Sequence, residues 1–168
     1  GDPFTLTVTG DNTISFQNVV AGDVWICSGQ SNMELTVSQV FNATTEIADS
    51  INYPHLRLAT VARVTADSPQ YDVPSKTIDY TWARSSPMAV QSPGKGEWGV
   101  YSATCYFFGR DLYKSLGGKV PIGLVTSCWG GQRVEAFSSP DAAASASSLA
   151  CPESFPPGFE SATKTKEA

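Results

Sequence analysis

The sequence predicts an α/β fold in which helices cover both faces of a parallel sheet. Two observations lead to this prediction. Short apolar runs typical of buried strands alternate along the chain with segments whose apolar residues recur at helical spacing. In addition, 41% of the 168 residues are apolar, which is enough to build the core of one domain.

The first segment, residues 1–22, predicts a β-hairpin. Apolar residues alternate with threonine from Phe4 to Thr9, turn residues follow at 10–12, and the alternation resumes at Ile14. Because an isolated hairpin is only marginally stable in water, we expect it to pack on another part of the protein. We therefore interpret residues 1–22 as the remnant of an accessory β region.

A buried strand and a helix are predicted next. The apolar run Val24–Cys27 indicates a strand that ends at Ser28-Gly29. From Asn32 onward a helix is predicted, because the apolar face repeats at helical spacing through Met33, Val37, Val40, Phe41 and Thr44. Tyr53-Pro54 ends this helical region.

Two more strands and one helix complete the predicted main domain, residues 23–140. Leu56–Val61 indicates the second strand, and residues 65–100 are expected to form long loops with a short strand near Trp82. Ser102–Leu116 predicts a helix, which Gly117-Gly118 stops. Val120–Thr126 predicts a third buried strand. Residues 141–168 are rich in Ala, Ser and Pro and are expected to form a loop or a disordered tail.

The charge balance argues against nucleic acid and anionic membranes as partners. The chain has 11 Lys and Arg against 16 Asp and Glu, a net charge of −5, so its surface repels phosphate groups. No apolar run approaches the roughly 18 residues of a membrane helix, and we expect no membrane span. The four cysteines lack C-x-x-C spacing, so no metal site is expected, and their pairing stays open: Cys27, Cys105, Cys128 and Cys151.

Ser31 is the candidate nucleophile. It lies in the stretch Gly29–Met33, where the first buried strand turns into a helix. A serine there faces the crevice in which α/β sheets bind ligands, and the helix N-terminus favours developing negative charge. The alternative reading is that Ser31 only caps the helix.

The second candidate feature is the turn Trp129-Gly130-Gly131, which closes the third strand. In a parallel sheet this turn lies on the same edge as Ser31. Paired glycines allow backbone N–H groups to approach a substrate closely, as an oxyanion hole requires. A plain turn is the alternative reading.

These two features match a known family. The stretches GDVWICSGQSNMELTVSQVFNAT and YSATCYFFGRDLYKSLGGKVPIGLVTSCWGGQRVEAF resemble the sialate O-acetylesterases of the SGNH-hydrolase superfamily. The resemblance implies a flavodoxin-like three-layer α/β/α sandwich with Ser31 as nucleophile. Backbone N–H groups of Ser31, Gly130 and Gly131 are then expected to hold the oxyanion. The implied reaction removes acetyl groups from sugars, typically O-acetylated sialic acids, without a metal or cofactor.

A secreted or lysosomal location is also implied by the resemblance. The sequon Asn42-Ala43-Thr44 is consistent with it, and Asn42 is the predicted glycosylation site.

The general base of such a reaction is missing from these residues. In the family it is a His paired with an Asp, from a motif far downstream. The only histidine here, His55, opens the second strand and is expected about 20 Å away, at the amino edge of the sheet. Proton transfer needs hydrogen-bond reach, so His55 is rejected as the base.

Three explanations for the missing base stay open. A second polypeptide completes the sheet and the triad, or the sequence is a piece of a longer protein. Alternatively, the chain is a structural or glycan-binding component with a degenerate esterase fold. The hairpin and the polar tail resemble cut ends, which favours an incomplete chain over a degenerate one.

Overall fold

The computed structural model describes residues 2–61, 63–65, 82–91 and 101–138. The chain divides between Gln132 and Arg133 into two units. In the second unit, Val134–Phe137 form a 3-10 helix. The tail predicted for residues 141–168 lies outside the described residues, and the predicted domain boundaries stay predictions.

The N-terminal strands form the expected hairpin. Strand β1 (Phe4–Thr9) pairs antiparallel with β2 (Thr13–Val19). Its apolar side chains are about half exposed, for example Phe4 at 46% and Phe16 at 52%. A hydrogen bond joins the hairpin to the main sheet, from Nη2 of Arg57 to Oδ1 of Asn18 at 3.0 Å.

A four-stranded sheet carries the rest of the first unit. It contains β3 (Asp23–Gly29), β4 (Leu56–Thr60), β5 (Ala83–Arg84) and β6 (Ile122–Cys128), in the order β3-β6-β4-β5. As predicted, β3, β4 and β6 are parallel, and the short β5 lies next to Trp82. It pairs antiparallel with β4. Gly29 pairs with Cys128, so β3 and β6 end level with each other.

The single helix predicted from Asn32 is wrong. The segment folds as α1 (Ser31–Glu34), a 3-10 turn (Val37–Gln39), α2 (Ala43–Asp49) and a second 3-10 turn (Ser50–Asn52). Backbone bonds to residues 101–103 draw the chain out of the helix after Glu34: Val37 N–H donates to the Tyr101 carbonyl, and Ala103 N–H to the Leu35 carbonyl. As a result Phe41, expected on the buried face, is 98% exposed.

Two further helices follow. Helix α3 (Pro87–Gln91) lies in the segment 65–100, for which the sequence predicts long loops, and the prediction is wrong at these residues. Helix α4 (Ala103–Ser115) agrees with the prediction. The Ser102 hydroxyl caps α4 by accepting the Cys105 N–H at 3.1 Å, and Gly117 follows the helix with φ of 68°.

The core forms where α4 packs on one face of the sheet. Gly109 lets the helix approach the fully buried Leu124, and a disulfide joins Cys27 of β3 to Cys105 of α4. The opposite face carries Val24 and Ile26, which are 62% and 74% exposed. A second helical layer over that face is not among the described residues. No described helix is long and apolar enough to cross a membrane.

Candidate active site

Ser31 lies at the carboxyl end of β3, as the sequence predicts. Gly29 ends the strand with φ of 152°, a conformation that favours glycine, and Ser31 is already the first residue of α1. The Ser31 side chain is exposed. At the first position of a helix the backbone N–H has no intrahelical acceptor, so the Ser31 N–H is oriented away from the helix body.

The turn after β6 lies directly beside Ser31. Trp129 N–H donates to the Gly29 carbonyl at 3.0 Å, which continues the β3–β6 pairing beyond the strands. The side-chain oxygen Oε1 of Gln30 accepts two hydrogen bonds, from the Ser31 hydroxyl at 2.9 Å and from Gly131 N–H at 3.3 Å. One side chain therefore bridges the candidate nucleophile and the turn.

A carboxylate holds the middle of the same turn. Gly130 N–H donates to Oε2 of Glu34 at 2.5 Å, and Glu34 forms an ion pair with Arg63. Arg63 in turn donates through Nε to the Cys128 carbonyl at 3.3 Å. Sequence reasoning missed Gln30, Glu34 and Arg63. The only local signal was that Glu34 follows Ser31 by three residues, about one helical turn.

The two glycine N–H groups predicted to hold the oxyanion are thus occupied in this conformation. Gly130 N–H donates to Glu34, the last residue of α1, and Gly131 N–H donates to Gln30, the residue before α1. The bond from Gly131 is long for an N–H···O hydrogen bond, whereas the bond from Gly130 is short and ends on a carboxylate. The oxyanion role of the two glycines stays a prediction.

Helix α4 holds α1 from the other side. The Ser102 hydroxyl donates to the Met33 carbonyl at 2.5 Å, and the Thr104 hydroxyl donates to the Asn32 carbonyl at 3.1 Å. The disulfide at Cys27 anchors β3 to α4 four residues before Ser31. The position of Ser31 is therefore fixed by the strand, by the turn after β6 and by α4.

His55 lies at the opposite edge of the sheet, as expected. Its carbonyl accepts the N–H of Ile122, the first residue of β6, whereas Ser31 follows the strand that ends level with Cys128. The six residue-to-residue steps from Ile122 to Cys128 correspond to about 20 Å. The His55 ring stacks on Tyr113, so this histidine does not reach the Ser31 hydroxyl.

Comparison with known proteins identifies the family. No protein-family model matches the chain. The chain is 40% identical to the mouse sialate O-acetylesterase over 144 residues, which are 83% of this chain and 25% of the mouse protein. It is also 40% identical to the human sialate O-acetylesterase over 127 residues, 76% of this chain and 23% of the human protein.

The chain belongs to the sialate O-acetylesterase family. It spans about a quarter of the length of these curated relatives. A crystal structure of a carbohydrate acetylesterase from Xanthomonas citri matches with a TM-score of 0.70 and 32% identity, over 84% of this chain and 29% of that one. The predicted α/β fold of SGNH type is confirmed.

The predicted glycosylation site of this sialate O-acetylesterase family chain lies on the surface. Asn42 is exposed, adopts a left-handed conformation with φ of 62° and precedes α2, and its Oδ1 accepts the Thr45 hydroxyl at 3.0 Å. Its glycosylation stays a prediction. Within the described ranges, no three His, Cys, Asp or Glu side chains converge to hold a metal ion.

Proposed function

We propose that this chain is the nucleophile-bearing part of a serine esterase that removes O-acetyl groups from sugars. O-acetylated sialic acids are the substrate class, since the relatives are named sialate O-acetylesterases. The observation that carries the proposal is the exposed Ser31 hydroxyl at the carboxyl edge of the sheet, joined through Gln30 to the turn after β6.

The chemistry assigned to Ser31 is acyl transfer in two steps. A base takes the hydroxyl proton while Oγ attacks the acetyl carbonyl carbon, and the proton then passes to the departing sugar oxygen. Water attacks the resulting acetyl-serine, releases acetate and restores the hydroxyl. The Ser31 N–H and Gly131 N–H hold the oxyanion, because a developing negative charge is a stronger acceptor than the Gln30 amide oxygen, which Gly131 reaches at 3.3 Å.

The base comes from outside this chain segment, in a second chain or in a further segment of a longer protein. Two observations support this. Strand β3, which leads to Ser31, is an edge strand of the described sheet, and its Val24 and Ile26 are exposed. Unpaired strand edges and exposed apolar faces of a sheet are both normally covered by further structure. In addition, the chain corresponds to about a quarter of its curated relatives.

The test is an acetyl-ester assay on this chain and on the complete enzyme, meaning the chain together with the part that supplies the base. Ser31→Ala is expected to lower kcat of the complete enzyme by about 10⁴-fold or more, since the nucleophile is lost. The matched control Ser38→Ala removes an exposed hydroxyl from the 3-10 turn Val37–Gln39 and is expected to keep full activity.

Activity that survives Ser31→Ala contradicts the proposal. The alternative, a structural or glycan-binding component, predicts no turnover in either preparation together with measurable sugar affinity. The observation that favours this alternative is that Gly130 N–H is already bound by Glu34.

A secreted or lysosomal location follows as part of the same proposal. The Cys27–Cys105 disulfide supports it, because disulfides persist in oxidising compartments. The exposed sequon at Asn42 supports it as well. Intact-mass measurement of the natural protein before and after treatment with an N-glycosidase tests the glycan at Asn42, and an unchanged mass contradicts it.

A further inference from the structure

We propose that Glu34 is a positioning residue that anchors the turn Trp129–Gly131 beside Ser31. The proposal rests on the esterase function proposed above and assigns Gly130 N–H to this anchor, leaving Gly131 N–H and Ser31 N–H for the oxyanion. It begins from the contact between Gly130 N–H and Glu34 Oε2 at 2.5 Å.

The anchor joins two elements that are distant in sequence. Glu34 is the last residue of α1, whose first residue is Ser31, and Gly130 lies 96 residues further along the chain. Ser31 and Glu34 are the first and last residues of the short helix α1. The bond from Glu34 to Gly130 therefore sets how close the turn Trp129–Gly131 lies to Ser31. An added Cβ at Gly130 would overlap Glu34 Oε2 and lie 3.7 Å from the Ser31 Cα. A side chain at position 130 would therefore displace the Glu34 carboxylate from its present position.

Arg63 completes the anchor by holding the same turn at its start. Its guanidinium pairs with the Glu34 carboxylate and donates through Nε to the Cys128 carbonyl at 3.3 Å. The side chains of Glu34 and Arg63 are 14% and 20% exposed. Hydrogen bonds to an ionised carboxylate in such partly buried surroundings are stronger than neutral ones. The turn is thus held at the carbonyl of Cys128 and at the N–H of Gly130, which lies two residues further along the chain.

Fixing the turn matters for rate, because a displacement of about 1 Å in a reacting geometry costs as much as 10²-fold in kcat. Without the anchor, the turn keeps the bond from Trp129 N–H to the Gly29 carbonyl at its start and, at Gly131, only the long bond from the N–H to Gln30. We therefore expect loss of the anchor to lower kcat while leaving the substrate affinity nearly unchanged.

The experiment compares four variants of the complete enzyme in the acetyl-ester assay. Glu34→Asp keeps the charge but shortens the side chain, so that it no longer reaches Gly130 N–H. Glu34→Ala removes the acceptor, whereas Glu34→Gln keeps an acceptor oxygen on a side chain of the same length. The matched control is Glu46→Ala, which breaks the comparable ion pair between Glu46 and Arg110, with side chains 27% and 16% exposed, away from the turn.

The expected result is that Glu34→Asp and Glu34→Ala lower kcat by about 10- to 100-fold with KM within about threefold. Glu34→Gln retains kcat within about fivefold of the wild type, and Glu46→Ala leaves kcat unchanged. If Glu34→Ala does not fold, Glu34→Asp decides. The proposal is overturned when Glu34→Asp keeps wild-type kcat in an enzyme that Ser31→Ala inactivates, or when Glu46→Ala lowers kcat equally.

Hydrogen exchange at Gly130 provides a second readout that does not need activity. The Gly130 amide is expected to exchange at least about tenfold faster in Glu34→Asp than in Glu46→Ala, because only the former loses the acceptor. Equal exchange in the two variants overturns the anchor. If Ser31→Ala leaves the activity intact, the esterase function fails, while the exchange measurement still decides whether Glu34 holds the turn.

Discussion

Gln30 accepts two hydrogen bonds with one oxygen, from the Ser31 hydroxyl and from Gly131 N–H. The Ser31 proton therefore already has an acceptor in the described structure. A base that activates Ser31 must replace Gln30 as this acceptor, and Gly131 N–H must leave the same oxygen to reach an oxyanion. Both exchanges involve neutral hydrogen bonds, which are individually weak.

The free thiol of Cys128 provides a test at the scale of one residue. Burial raises the pKa of this thiol, and the nearby Arg63 only partly opposes the effect. We expect iodoacetamide at pH 8 to modify Cys128 more slowly in the folded chain than in denaturant, since the thiolate is the reactive form. Peptide-resolved mass spectrometry measures the two rates, and equal rates contradict the prediction.

The same shift predicts a pH dependence of stability. A raised folded-state pKa contributes stability below the pKa of the unfolded thiol, about 8.5, and that contribution is lost as the pH rises toward the folded value. Urea unfolding at pH 7 and pH 9.5 is therefore expected to show a smaller loss of unfolding free energy for Cys128→Ala than for the wild type. An identical loss in both proteins rules out this linkage.

Sequence reasoning predicts positions that follow from a local pattern and misses contacts between residues that are distant in sequence. The placement of Ser31 and the turn 129–131 at one edge is predictable because each follows a recognisable buried strand, and parallel strands end at the same edge. Their catalytic roles stay predictions. Glu34 and Arg63 were missed because their partners, Gly130 and Cys128, lie 96 and 65 residues away in sequence. The sequence around Glu34 and Arg63 does not indicate either partner.

At the scale of elements, the packing of α4 on β6 depends on Gly109. A Cβ at this position would lie 2.6 Å from Leu124 Cδ2 and 2.9 Å from Leu124 Cγ, and Leu124 is fully buried. Gly109→Ala gains about 1 kcal/mol of helix propensity but is expected to lower the net unfolding free energy, because overpacking costs about 1–3 kcal/mol. Urea denaturation measures the change.

Two further variants test whether contact with Leu124 causes the loss of unfolding free energy in Gly109→Ala. Gly10→Ala, where an added Cβ meets nothing within 4 Å, is expected to change stability by less than about 0.5 kcal/mol. In the background of Leu124→Ala, which opens the space, Gly109→Ala is expected to cost nothing further. A full additive loss in the double variant shows that contact with Leu124 is not the cause.

Helices and strands were predicted correctly where the apolar residues of a segment form the face that packs into the core. The strands β3, β4 and β6 each contain a short apolar run and helix α4 has one apolar stripe, and all four elements contribute residues to one core. Residues 32–52 were predicted as one helix from a similar pattern. There the backbone of Leu35–Val37 pairs with residues 101–103 instead, so tertiary hydrogen bonding overrides the helical spacing.

At the scale of the whole molecule, the Cys27–Cys105 disulfide closes a loop with a sequence separation of 78 residues. Replacing both cysteines by alanine is expected to lower the unfolding free energy by about 2–4 kcal/mol, because the unfolded chain regains the entropy of an open loop. Thermal unfolding measures the decrease, with Cys128→Ala as the control that leaves the loop closed. An unchanged melting temperature in the double variant contradicts this role.

The closed loop also determines what a protease can release. Ser31, Glu34 and Arg63 all lie between the two bonded cysteines, so a single backbone cleavage anywhere from Ser28 to Thr104 leaves both fragments covalently joined. Such a nicked chain migrates as one species until a reductant separates the fragments. After such a cleavage between Ser28 and Thr104, Ser31 and the turn Trp129–Gly131 remain in one covalently connected molecule.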